Sequence, residues 1–331
     1  MNKKKWWLFI PVVLIVTYLL GPNPSAPEYS LVMPAFPANP LHLEQLISAR
    51  EKTHPLKPDN EARIIWVNDS LKEQTEYSIV YLHGFTASQA EGEPTHRMTA
   101  KKFGCNLYLS RLADHGIDTS EPMVNLTVDR FWESAKEAFA IGKQLGKKVI
   151  LMGTSTGATL ALRLAAEYPE IHTLILLSPN IEINDPNAWL LNNPWGLHIA
   201  KMVTGGAYMD SKDQRPLYKN YWTHHYRLEG AVALEELLET SMNEETFKKV
   251  RQPTLVLYYY KDERNQDEVV KVDAMKKMFT MLGTASTQKR AVAIPAAGDH
   301  VIGSFIRSKD LGSVEISVHE FLVEVVKLKP R

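Results

Sequence analysis

Short apolar runs separated by stretches of helical spacing set the rhythm of this chain. Runs at 62–67, 77–82, 106–110, 148–152, 173–177, 254–260 and 291–294 predict strands. Residues 41–52, 130–145 and 231–238 carry apolar positions at helical spacing and predict helices. Strands divided by helices place the chain in the α/β class, with a largely parallel sheet covered on both faces.

The rhythm breaks at the N-terminus and again in the second half. MNKKK is followed by WWLFIPVVLIVTYLL, an uncharged run from Trp6 to Leu20 that a surface helix of a globular domain would not carry. As a helix this run spans about 22 Å against a hydrocarbon core of about 30 Å, so it suits a signal segment or a short anchor. Gly21 and Ala26 are each followed by proline, which obstructs a signal peptidase and favours an uncleaved anchor. Lys3, Lys4 and Lys5 would then stay cytoplasmic, leaving the remainder on the extracytoplasmic side, periplasmic or extracellular. Residues 21–40 hold six prolines and predict an extended spacer without packed structure. The expected organisation is therefore a membrane anchor or signal segment over 1–20, a spacer over 21–40, and one α/β domain over 41–331.

Between about 181 and 252 the strand rhythm lapses, and Trp189, Trp195, Met202, Tyr208, Trp222 and Tyr226 precede the helical stretch at 231–238. This predicts an inserted cap, whose aromatics either pack it to the sheet or form an apolar lid over a site.

Composition removes alternatives rather than adding any. The chain has 331 residues, 44% of them hydrophobic, and its 38 Lys and Arg balance 38 Asp and Glu. No long-range field gathers nucleic acid. The single cysteine, Cys105, cannot form an intrachain disulfide and reads as a small buried apolar residue. His224 and His225 are adjacent in the cap without acidic or cysteine partners at ligand spacing, so neither a metal nor another cofactor is expected.

The candidate chemistry centres on KKVILMGTSTGATLALRLAAEY, in which a GxSxG motif surrounds Ser155 between a buried strand and a helix. Gly153 and Gly157 leave room at a sharp strand-to-helix turn, and the helix N-terminus behind Ser155 offers free N–H groups to developing negative charge. A serine needs a base, an orienting carboxylate and oxyanion donors to act as a nucleophile. His300, in PAAGDHV after the last predicted strand, is the expected base. The carboxylate is Asp267, preferred over Asp262, because the Val269–Val270 pair would anchor its loop. Asp299 is disfavoured because neighbouring side chains in an extended loop point apart. Oxyanion donors are expected from the backbone N–H of Thr156 and, in HGFTAS, of Phe85.

HGFTAS at 83–88, RLADHG at 111–116, GTSTG at 153–157, DEVV at 267–270 and GDHV at 298–301, in that order, resemble the α/β-hydrolase fold family. The likeness is greatest to its bacterial carboxylesterase and monoacylglycerol-lipase-like branch and covers about residues 60–325. The resemblance implies an eight-stranded, mostly parallel sheet with helices on both faces, a cap inserted after the sixth strand, and a Ser155, Asp267, His300 triad. The chain departs from the pattern in extra residues at Glu263 to Gln266 and in threonines flanking Ser155.

The expected activity is a membrane-tethered serine hydrolase that cleaves small-molecule esters with a hydrophobic acyl group through an acyl-enzyme on Ser155. A thioesterase or serine peptidase of the same fold is the alternative within the class, and a non-catalytic tethered binding protein is the alternative outside it.

Overall fold

The computed structural model describes the backbone of residues 3–331 and side chains from residue 9 onward. Seven strands form the central sheet: β1 (Arg63–Ile65), β2 (Thr75–Leu82), β3 (Asn106–Leu109), β4 (Gly146–Thr154), β5 (Thr173–Leu177), β6 (Thr254–Tyr258) and β7 (Lys289–Ala293). Their spatial order is β1-β3-β2-β4-β5-β6-β7, with β1 antiparallel to β3 and every other pair parallel. Each of the seven overlaps an apolar run predicted from the sequence. The eight-strand expectation, which came from the resemblance alone, is corrected to seven, since the apolar run before β1 forms helix Lys3–Leu19 and adds no strand at that edge. The insertion accordingly follows the fifth strand rather than the sixth.

The strands are apolar at successive positions because both faces of the sheet are covered. Val80 and Leu82 of β2 join one core layer with Leu151, Phe131 and Leu160, whereas Ile79 and Tyr81 join the opposite layer with Ile150, Met152 and Phe321. Helices Val128–Leu145 and Thr156–Glu167 cover the first face, and helices Thr95–Phe103 and Leu311–Glu320 cover the second. Cys105 lies in the second layer, where burial pushes its thiol up to about 12.

The insertion between β5 and β6 contains helices Gly196–Thr204, Pro216–Tyr221, Leu228–Ser241 and Glu244–Lys249, with a two-stranded ribbon of Tyr208–Asp210 and His225–Arg227. Residues 260–266 form a second ribbon, Tyr260–Asp262 against Asn265–Gln266.

The N-terminal apolar run forms a helix. Helix Lys3–Leu19 is 17 residues long, and among the described residues no helix is long and apolar enough to cross a membrane. Phe9, Ile10, Leu14, Ile15 and Leu19 are exposed. The side chains of Lys3, Lys4 and Lys5, on which the orientation expectation rests, lie outside the described residues.

The proline-rich stretch is extended, yet part of it is packed. Trp132 donates its indole N–H to the Ser30 carbonyl at 2.7 Å, Lys136 reaches the Val32 carbonyl at 2.8 Å, and Tyr168 reaches the Leu31 carbonyl at 3.1 Å. Tyr29 inserts beside Trp132 and under the Arg163 guanidinium. Prolines keep this strap from forming a helix, and side chains of the domain supply the partners that its backbone lacks.

Candidate active site

Ser155 sits at the tip of the turn from β4 into helix Thr156–Glu167, with φ 52° and ψ −119°. A non-glycine residue adopts this conformation only when its surroundings enforce it. The enforcement is visible on both sides. The Ser155 N–H donates to the Leu177 carbonyl at 2.9 Å, and its own carbonyl accepts from Asn180 at 3.2 Å and Ala158 at 3.0 Å. A Cβ on Gly157 would stand 2.0 Å from the Leu82 carbonyl oxygen, and one on Gly153 would stand 2.6 Å from the Gly157 backbone. The motif glycines thus let β2, β4 and the helix close on one another around the serine.

His300 lies in the loop after β7, and its Nδ1 is 2.6 Å from Asp267 Oδ2. The other carboxylate oxygen of Asp267 accepts the N–H groups of Val269 at 2.9 Å and Val270 at 3.1 Å. These bonds fix the orientation of a fully buried carboxylate, and Val270 is itself buried beneath the loop. The His300 backbone is held too, since Ser178 donates its hydroxyl to the His300 carbonyl at 2.7 Å.

Asp262, the alternative acid, lies elsewhere. Its Oδ1 accepts the Arg264 and Asn265 amides, both at 2.9 Å, closing the tip of the 260–266 ribbon in solvent. Asp299 pairs with Arg307 at 2.8 Å rather than with His300.

Burial disfavours the imidazolium of His300, but the Asp267 carboxylate, with Glu91 and Asp299, outweighs that cost and raises its pKa above the usual 6.5. His300 Nε2 has no protein partner, and His300 and Ser155 line one cavity of about 400 Å³. Phe85 from the body and Met209, Trp222 and Tyr226 from the insertion line the same cavity. Among the described residues, no acceptor takes up the Phe85 or Thr156 N–H. An imidazole oriented by a carboxylate, a serine on a strained turn and two free amides are the parts that acyl transfer requires.

Three residues escaped the sequence reading. Asn180 is buried beside Ser155 with its Oδ1 unpartnered, and Ser178 holds the His300 loop. Glu91 is buried at the cavity wall, where its Oε2 accepts the Gly84 N–H. Desolvation raises the Glu91 carboxyl to about 8 even though the Gly84 N–H and the His300 charge favour its ionised form. A lone glutamate in QAEG carries no local signature. The only hint was its position shortly after HGFTAS.

Comparison with known proteins agrees with this architecture. The family described as Hydrolase_4, serine aminopeptidase S33, matches residues 77–298. A thermostable monoacylglycerol lipase from Bacillus sp. (strain H-257) is 29% identical over 111 residues, which is 34% of this chain and 44% of that protein, so the match spans less than half of the relative. Among solved structures, a metagenome-derived lipolytic enzyme superposes with a TM-score of 0.64 at 16% identity, over 81% of this chain and 99% of that one. The monoacylglycerol lipase of Paleococcus ferrophilus gives a TM-score of 0.56 at 14% identity, over 80% and 98% of the two chains. At such identities these likenesses concern the fold alone.

Proposed function

Because the chain belongs to the Hydrolase_4 family (serine aminopeptidase, S33), we propose that it is a hydrolase that cleaves carboxylic esters through an acyl-enzyme on Ser155. The reading rests chiefly on the 2.6 Å pairing of Asp267 with His300, whose Nε2 is unpartnered and which lines the same cavity as Ser155. Catalytic hydrogen bonds of this kind commonly tighten only when substrate binds.

In this reading His300 Nε2 takes the proton of Ser155 as its oxygen attacks the ester carbonyl. The resulting oxyanion is held by the N–H groups of Phe85 and Thr156. The C–O bond to the alcohol then breaks, and the departing alkoxide carries away the proton from His300. Water, deprotonated by the same imidazole, releases the acid and regenerates Ser155. Asp267 remains ionised and stabilises the transient imidazolium. Met209, Trp222 and Tyr226 make the cavity suited to a hydrophobic acyl group.

The deciding experiment is labelling by a fluorophosphonate. Wild-type protein lacking residues 1–20 should react and Ser155→Ala should not; a wild type that stays unlabelled refutes the reading. The family description also leaves an aminopeptidase reading open, and the triad itself accepts oxygen, sulfur or nitrogen leaving groups. Matched esters, thioesters and aminoacyl amides separate these chemistries.

We further propose that the Trp6–Leu20 run tethers the domain to a membrane with the pocket on the extracytoplasmic side. The support is its uncharged sequence and the exposed apolar side chains from Phe9 to Leu19. Fractionation of cells expressing the full chain tests this, and a 1–20 deletion that fractionates identically overturns it.

A further inference from the structure

Glu91 stands where three separate pieces of the site meet. It belongs to the short turn Gln89–Gly92, which follows the HGFTAS loop. That turn is bolted to the His300 loop, because Ser304 donates its hydroxyl to the Ala90 carbonyl at 2.7 Å and the Phe305 N–H reaches the Glu93 carbonyl at 2.8 Å. The insertion is bolted to the same place through the Thr223 N–H, 2.7 Å from the Thr86 carbonyl. Ala87, Ala90, Trp222, Val301 and Ile306 form a small apolar cluster that joins all three.

Glu91 is 2% exposed, and among the described residues no Lys or Arg pairs with its carboxyl. It accepts the Gly84 N–H and has a weaker polar contact with Trp222 of the insertion. A Cβ on Gly84 would meet Glu91 Oε1 at 2.7 Å and the Ser155 Cβ at 3.0 Å, so the glutamate, the loop and the nucleophile crowd one point. Gly84 directly precedes Phe85. The Gly84 N–H belongs to the His83–Gly84 peptide and the Phe85 N–H to the next one, whose Gly84 carbonyl accepts the Ala87 N–H at 3.2 Å, so Glu91 and Ala87 hold Gly84 from its two sides and together fix the direction of the Phe85 N–H.

We propose that Glu91 is a positioning residue for ester hydrolysis: its carboxyl clamps the Gly84 peptide, with Trp222 of the insertion against it, so that the Phe85 N–H stays aimed beside Ser155. This rests on the hydrolase reading above. A carboxyl oxygen that accepts an N–H does this work in its neutral form; ionised, it would set a negative charge beside the forming oxyanion. The titratable groups facing Glu91 are His300 and Asp299 on the histidine loop, Tyr81 on β2 and Tyr218 in the insertion. With Glu91 titrating at about 8, the wild-type rate should acquire an alkaline limb in that region.

Three measurements on the full chain with a chromogenic ester test the role. Glu91→Leu, which removes the acceptor and keeps the volume, should lower kcat about 10-fold or more with KM little changed. Glu91→Gln, which restores an acceptor that cannot ionise, should recover most of that loss and abolish the alkaline limb. Trp222→Phe should lower kcat less than Glu91→Leu does. Wild-type kcat in Glu91→Leu, or an unaltered alkaline limb in Glu91→Gln, overturns the proposal. Should the leucine variant fail to fold, the pH profile of the glutamine variant decides alone. Phosphonate labelling of the wild type reports the hydrolase reading separately, so labelled protein with an indifferent Glu91 refutes only the positioning role.

Discussion

The carboxylate of Asp267 divides its two oxygens, giving Oδ2 to the His300 imidazole at 2.6 Å and Oδ1 to the amides of Val269 and Val270. The backbone bonds hold the carboxylate in one orientation, and the carboxylate in turn keeps a proton on Nδ1 and leaves Nε2 as an acceptor. Asp267→Asn should therefore lower kcat by about 10³–10⁴-fold, since an amide can present its N–H to Nδ1 and select the wrong tautomer. Asp262→Asn, at the exposed ribbon tip, should change kcat by no more than about 2-fold. Comparable losses in both variants would refute the assignment of the acid.

The pH dependence follows from the raised His300 pKa. A protonated imidazole cannot take the Ser155 proton, so kcat/KM should fall as pH drops through the folded-state value, with a midpoint above 6.5. Burial alone would lower that midpoint, and Asp267 raises it. Asp267→Asn should consequently shift the acid limb to lower pH. A profile flat from pH 5 to 8 in the wild type removes His300 as the base.

Gly157→Ala tests the packing behind the serine turn. The added methyl would stand 2.0 Å from the Leu82 carbonyl oxygen, a backbone atom that cannot step aside. Denaturant unfolding should show a loss of at least about 1–3 kcal/mol, with phosphonate labelling also reduced. Unchanged stability would mean that β2 and the helix are not locked as described.

The strap offers a test by truncation. Removing residues 1–20 leaves the partners of Trp132, Lys136 and Tyr168 in place, and thermal unfolding should barely change. Removing residues 1–36 strips Ser30, Leu31 and Val32 from those three side chains, of which Lys136 is fully buried. Each orphaned buried group costs about 1–3 kcal/mol, so the longer truncation should melt distinctly earlier. Equal melting of the two forms contradicts a load on the strap.

The inner strands were legible because a strand buried on both faces is apolar over most of its length, whereas the edge strands Arg63–Ile65 and Lys289–Ala293, only partly buried, carry shorter apolar runs. Ser155 and His300 were legible for a related reason, each being marked by glycines or by its place after a strand. The acid was ambiguous because Asp262 and Asp267 both follow β6 closely. The structure separates them through a ribbon whose turn consumes Asp262, a feature that short polar sequence does not announce. Glu91, Ser178 and Asn180 were illegible for a deeper reason. Their roles depend on partners such as Gly84, the His300 carbonyl and Ser155, and side chains of ordinary type carry no local trace of such pairings. The strap was misjudged likewise: prolines report extension faithfully, but Trp132 and Lys136, about a hundred positions away, decide that it is docked.

The strap also shortens the leash. Between the end of the apolar helix at Leu19 and the clasp at Pro22, whose carbonyl accepts the Trp195 N–H at 3.1 Å, the chain reaches at most about 11 Å even when fully stretched. Whatever surface captures that helix therefore keeps the catalytic mouth within its own immediate neighbourhood. Under the proposed tether, encounter with substrate would be a search across that surface rather than through the bulk.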